Sequence, residues 1–218
     1  MSKNINVIVL ALLASLLGAT AAWASDVYID QAGSLSTINI TQTGADNTVG
    51  SSGTPSTIVG DNTKVDITQT GTFNTADIAM GATGTSDSTI NYTAAGGSNI
   101  LDVQIDGATD TTLTTTIVGD NNEVTLCGTI GTVAAVSQTA TCATGVQANT
   151  TTSNIDITGD RNQIAIGADA ANAVNNITVG GNVTSSDNVI NLSQTGVDIP
   201  NVTLNVDGST NAINITQQ

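Results

Sequence analysis

Histidine is absent from this chain, and positive charge nearly so: Lys3, Lys64 and Arg161 are its only basic residues. Glu123 is the only glutamate, and the rest of the 18 acidic residues are aspartate. Acid–base catalysis needs a positioned proton carrier with tuned neighbours, and glycoside cleavage needs paired carboxylates at the scissile bond. The aspartates here are scattered through arcs and outward positions, so we expect no catalytic residue and no enzyme. A formal charge of -15 leaves no basic face for nucleic acid, and it disfavours anionic membrane surfaces. That charge instead keeps a β-rich chain apart from its copies in solution. Aromatic residues are 2% of the chain, so no core can be built around Phe and Trp. Two cysteines make a poor metal site and are spaced too widely for a redox pair, so we expect neither metal nor cofactor.

What is abundant is Gly, Thr, Asn, Ala, Ile and Val, and the apolar members are good strand formers. Residues 1–24 read as a signal peptide. Lys3 gives the positive start, Ile5 to Leu17 the apolar stretch, and Ala22-Trp23-Ala24 the small-x-small cleavage site, leaving Ser25 first. The apolar run is short for a membrane anchor and no further span follows, so the chain is expected to be secreted rather than membrane-embedded. Export places Cys127 and Cys142 in an oxidising compartment. We expect them to form a mutual disulfide that closes a side loop near 127–142.

Residues 25–218 repeat. The pattern is apolar-x-apolar-x-Gln-x-Gly-x-x-Asn-x-apolar. It is seen in Ile38, Ile40, Gln42, Gly44 and Asn47, and again in Val65, Ile67, Gln69, Gly71 and Asn74. Later copies keep parts of it: Ile117, Gly119, Asn122 and Val124; Ile155, Ile157, Gly159, Asn162 and Ile164; Ile190, Leu192, Gln194 and Gly196; Val206, Gly208, Asn211, Ile213, Ile215 and Gln217. Looser strands lie at Ile90-Tyr92, Leu101-Val103-Ile105 and Ile177-Val179. Period-two alternation means strands with one buried face, and they recur about every 12 residues between tight turns. The expected fold is all-β: a single β-solenoid domain over 25–218 with two strands per coil and roughly seven coils of about 25 residues.

Each repeat position has a chemical reason. Gly33, Gly44, Gly71, Gly119, Gly159, Gly196 and Gly208 are the arc glycines, allowing positive φ where the chain reverses. Gln31, Gln42, Asn47, Gln69, Asn74, Asn122, Asn162, Gln194, Asn211 and Gln217 share the inward parity. An inward amide is costly unless paired. Amides stacked at a strand spacing of ~4.8 Å pair along the axis, or else they cap the arcs of their own coil.

Ser36-x5-Gln42 with Gly44 and Asn47 resembles the curlin repeat of bacterial curli fibres. Thr63-x5-Gln69 with Gly71 and Asn74 follows it with Thr for Ser, and Asn188-x5-Gln194 and Asn211-x5-Gln217 with Asn for Ser. The resemblance implies secretion through an outer-membrane channel, a nucleator subunit as partner, and polymerisation into extracellular amyloid that scaffolds biofilm and mediates adhesion. From the residues themselves, the repeat runs from near Val27 to Gln217 and leaves no room for a capping helix. The final strand, Asn211 to Gln218, carries no side-chain charge. Unpaired strand edges of this kind invite head-to-tail addition of further copies.

Other classes leave fainter traces. Gly60-Asp61-Asn62, Gly119-Asp120-Asn121-Asn122 and Gly159-Asp160-Arg161-Asn162 are rich in oxygen ligands for calcium, but Asp and Asn suit tight turns equally well. Outward threonines (Thr41, Thr68, Thr125, Thr178, Thr203, Thr216, and Thr114 with Thr116) could serve an ice- or carbohydrate-binding face. Along the sequence, Asn, Asp and Ser interrupt any regular file of them. A monomeric binding module is therefore the alternative to the fibre subunit.

Overall fold

A computed structural model describes residues 26–44, 46–50, 55–71, 73–81, 86–96, 98–119, 121–127, 129–132, 141–144, 147–148, 150–159, 161–168, 172–180, 187–194, 201–208 and 210–217. Residues 1–24, the predicted signal peptide, lie outside them. The described strands, in chain order, are β1 (Asp26–Val27), β2 (Asp30–Ala32), β3 (Thr37–Thr43), β4 (Thr48–Val49), β5 (Ser56–Val59), β6 (Lys64–Thr70), β7 (Thr75–Gly81), β8 (Ser86–Ala95), β9 (Ile100–Val118) and β10 (Glu123–Cys127). They continue as β11 (Thr129–Thr132), β12 (Thr141–Thr144), β13 (Gln147–Ala148), β14 (Thr150–Thr158), β15 (Gln163–Ala168), β16 (Asn172–Val179), β17 (Asn188–Gln194), β18 (Asn201–Val206) and β19 (Asn211–Gln217). Among the described residues no helix is long and apolar enough to cross a membrane.

Parallel pairing dominates. One ladder runs β3, β6, β8, the second half of β9, β14, β16 and β18. The other runs β1, β4, β7, the first half of β9, β10, β15, β17 and β19, and β2 joins it through β5 and β7. β9 serves both: Ile100–Asp106 pairs with β7, and Thr109–Val118 with β8. The molecule is an all-β solenoid of stacked parallel strands, as the alternation predicts.

The pleat sorts the residues. In β3 the side chains of Ile38, Ile40 and Gln42 are buried while those of Thr37, Asn39, Thr41 and Thr43 are exposed. Register then stacks like on like. Ile38, Val65, Ile90 and Leu113 share one column of the first ladder, and Ala76, Leu101, Val124, Ile164 and Ile190 share one of the second. All of these are buried in a single apolar core fed by both ladders. Burying each Ile, Leu or Val contributes about 1.5–3 kcal/mol, so the stack supports itself without aromatic bulk. Tyr92 is the exception: it takes the place of an Ile in the column after Ile40 and Ile67 and is 1% exposed.

Two features depart from simple repetition. The column of Leu113 continues with Ser153 and then Asn175, both buried, so the interior turns polar there. Between β10 and β14 the chain also makes an antiparallel pair, β11 with β12. β11 lies alongside β9 and β10, and β12 alongside β10 and β15. Cys127 is buried and disulfide-bonded. The side chain of Cys142 lies outside the described residues.

Candidate functional site

The Gly-x-x-Asn signature produces an unbroken amide column. Asn74 Nδ2 donates to Asn47 Oδ1 at 2.6 Å, Asn99 to Asn74 at 2.5 Å, and Asn122 to Asn99 at 2.7 Å. Asn162 donates to Asn122 at 2.7 Å, Asn188 to Asn162 at 2.6 Å, and Asn211 to Asn188 at 2.7 Å. Two members also cap their own arcs: Asn122 Nδ2 reaches the Gly119 carbonyl at 2.8 Å and Asn162 that of Gly159 at 3.0 Å. Stacking and arc capping therefore coexist on one amide. Asn99 and Asn188 also belong to the column, beyond the ladder residues that the repeat predicts. Gly96-Gly97-Ser98-Asn99 carries the Gly-x-x-Asn signal in full, whereas Asn188 has Ser185 in place of the glycine.

The glutamines behave differently. Gln69 Nε2 donates to Gln42 Oε1 at 2.8 Å, and each also donates to a backbone carbonyl, Thr48 for Gln42 and Thr75 for Gln69. Gln42 and Gln69 are followed in register by Ala94 and Ile117, so the glutamine column is two members deep. Tyr92 closes it, its hydroxyl donating to Gln69 Oε1 at 2.9 Å. Burial pushes the Tyr92 phenol well above its usual range, so it remains a donor. Gln31 stands outside this column: it is in register with Ile58 and donates to Ser36 Oγ at 2.7 Å. Gln194 and Gln217 are in register with each other, and their side chains lie outside the described residues.

The arc glycines form a column of their own. Gly44, Gly71, Gly96, Gly119 and Gly159 all have φ between 141° and 155°. Gly33 shares that φ range but stacks beneath Gly60, at a different corner. Gly208 is exposed after β18, and Gly196 lies outside the described residues. Of the arcs with oxygen-rich sequences, Asn62, Asn121 and Arg161 take left-handed φ of 54°, 49° and 55°, the conformation a tight turn demands. Asp120 and Asp160 lie outside the described residues.

Two surfaces remain. On the outer face of the first ladder Thr41, Thr68, Thr93 and Thr116 stand in consecutive register and are exposed. The file that sequence order interrupts is thus regular in space, until Asp156 breaks it. The second surface is the rung formed by β18 and β19. Among the described residues β19 pairs with β17 alone and β18 with β16 alone. Ile213 and Ile215 continue the inward columns of Ile190 and Leu192, yet stand 46% and 44% exposed. At the opposite end, among the described residues, β1, β2 and β3 each pair on one side only, while the inward Ile29, Ile38 and Ile40 are buried.

Compared with protein-family models, with curated proteins and with solved structures, the chain matches none. Its distinctive features are amide and glycine columns that repeat along one axis, and a rung at β19 whose inward Ile213 and Ile215 have no strand beyond them among the described residues.

Proposed function

We propose that the chain is a secreted structural subunit that stacks head-to-tail with copies of itself into an extracellular, curli-like amyloid fibre serving biofilm matrix and adhesion. The observation that carries this reading is the exposure of Ile213 and Ile215 on a rung that has no strand beyond it among the described residues. Their columns have a natural continuation in the Val27 and Ile29 rung of a second copy, where the next parallel strand would bury them. A heterologous contact of this kind does not close, so it yields a filament.

The finer organisation belongs to the same proposal. Each coil supplies one strand to each ladder, and residues 25–218 make about seven coils. The step between bonded asparagines, 27, 25, 23, 40, 26 and 23 residues, supports that count, with the longest step spanning the β11–β12 insertion. Export by a cleaved signal peptide, passage through an outer-membrane channel, a nucleator partner and the absence of catalysis complete the reading. Incubating the purified chain from Ser25 to Gln218 tests it. We expect unbranched fibres with a meridional repeat near ~4.8 Å; a sharply defined monomer that persists at high concentration rejects it.

One observation favours a second reading. The file Thr41, Thr68, Thr93 and Thr116 presents hydroxyls at the strand spacing on an exposed face, as a monomeric module binding ice or carbohydrate would. Freezing hysteresis or glycan binding by a non-assembling monomer discriminates the two.

A further inference from the structure

The outer face of the second ladder hides two acids. The pleat directs Asp77 and Asp102 away from the core, opposite to Ile78 and Val103, yet both are only 2% exposed. They are direct register partners on neighbouring parallel strands, ~4.8 Å apart. Oδ1 of each is buried without a hydrogen-bond partner. Thr125, also buried, follows them in register on β10.

Among the described residues no positive charge meets this pair. β10 adds Glu123, a third acid, and β15 adds Gln163 and Ala165 on the same face. β4 and β5 bring Thr48, Ser56 and Thr57, none of them ionisable. The segment 128–149, which contains β11 and β12, has no charged residue, and its one ionisable side chain is Cys142. The segment 50–55, which begins beside the Asp77 carbonyl at Gly50, has no ionisable residue. The two cations beyond residue 25 are engaged elsewhere: Lys64 with Asp66 at 2.8 Å and Arg161 with Asp187 at 3.8 Å.

Two buried carboxylates at this separation cannot both ionise without a compensating charge. We infer that Asp77 and Asp102 share a proton and form a proton-held latch in the middle of the solenoid, fastened when the pair is protonated and loosened when it ionises. Burial, and after it the charge of Asp102, pushes Asp77 up to about 7. Burial likewise raises Asp102, offset in part by the Thr125 hydroxyl. The two titrate as a unit. The folded chain holds a proton that the unfolded chain, with carboxyls near ~3.9, releases. Stability is therefore greatest below about pH 4 from this source and falls as pH rises towards about 7. Such a latch acts within a single chain, whether or not copies assemble.

The test compares urea midpoints of the wild-type monomer, the double variant Asp77→Asn/Asp102→Asn, and the exposed control Asp156→Asn at about pH 5 and about pH 8. We expect a lower wild-type midpoint at the higher pH, the same drop in the control, and no such drop in the double variant. An equal drop in the double variant overturns the latch. Should the variant not fold, carboxyl carbon resonances of the wild-type protein decide: two groups titrating well above the others support the pair, and none doing so rejects it. Calcium chloride that raises the wild-type midpoint at about pH 8 but not the variant's would assign the two acids to a cation and overturn the shared proton.

Discussion

The α-carbon of Gly96 presses against the carbonyl of Gly71 so closely that a Cβ at Gly96 would lie 1.3 Å from that oxygen. Its φ of 150° is also one that L side chains rarely adopt. Gly33 has a similar φ of 145°, but the nearest atom to its Cβ would be Gln31 Nε2 at 3.5 Å. Gly33→Ala should therefore cost only the backbone strain of about 1–3 kcal/mol. Gly96→Ala adds a backbone collision between coils and should cost distinctly more, read as a larger fall in urea midpoint. Equal costs for the two would mean that coil-to-coil contact does not restrict the arc.

The amide column predicts a gradient of sensitivity. Asn122→Ala leaves Asn99 Oδ1 and the Gly119 carbonyl without the donor that Asn122 supplies. Each orphaned buried acceptor costs about 1–3 kcal/mol. Asn211 is exposed, so Asn211→Ala should cost under about 1 kcal/mol. Chemical denaturation of both variants checks the ordering.

Tyr92→Phe removes one hydroxyl and leaves the ring in place. Gln69 Oε1 then loses the hydroxyl that donates to it, and we expect a loss of about 1–3 kcal/mol without change of fold. The wild-type phenol also gives an alkaline signature. Unfolded chains ionise tyrosine near pH ~10 while the folded, buried Tyr92 resists. Stability should fall above that pH, and the fall should be smaller in Tyr92→Phe.

In the proposed head-to-tail stack, changes at the terminal rung should separate assembly from folding. Ile213 and Ile215 are already half exposed, so the double change Ile213→Lys/Ile215→Lys should alter monomer stability by no more than about 0.5 kcal/mol per site. Elongation of wild-type seeds by that variant, followed by dye fluorescence, should nearly cease. Undiminished elongation would move the growth surface elsewhere.

Local chemistry explains how much of this was legible beforehand. Columns such as Ile38–Val65 and Ile40–Ile67 follow from strict alternation between turn residues, which a single sequence displays. Asn47, Asn74, Asn122, Asn162 and Asn211 follow from their spacing after the turn. Asn99 escapes the pattern because its preceding strand is loosely patterned, although its own turn is regular. Tyr92 could be placed inward by parity, but not as the cap on Gln69, because that contact depends on which coil lies above which. Asp77 and Asp102 lie beyond the reach of alternation, which assigns them to the outside; that both are buried shows only once the coils are stacked. The regular threonine file was hidden for the same reason, since coils of unequal length bring unequally spaced residues into line.

The asparagine column also has a direction. In every bond from Asn74 to Asn211 the amide nitrogen belongs to the later residue and the oxygen to the earlier one. The side-chain dipoles therefore add rather than cancel, as peptide dipoles do along a helix. A stack built from such units is a vector. In the proposed fibre its two tips would offer unlike partners to an arriving subunit, and a copy arriving upside down would set its amide dipoles against those already in place.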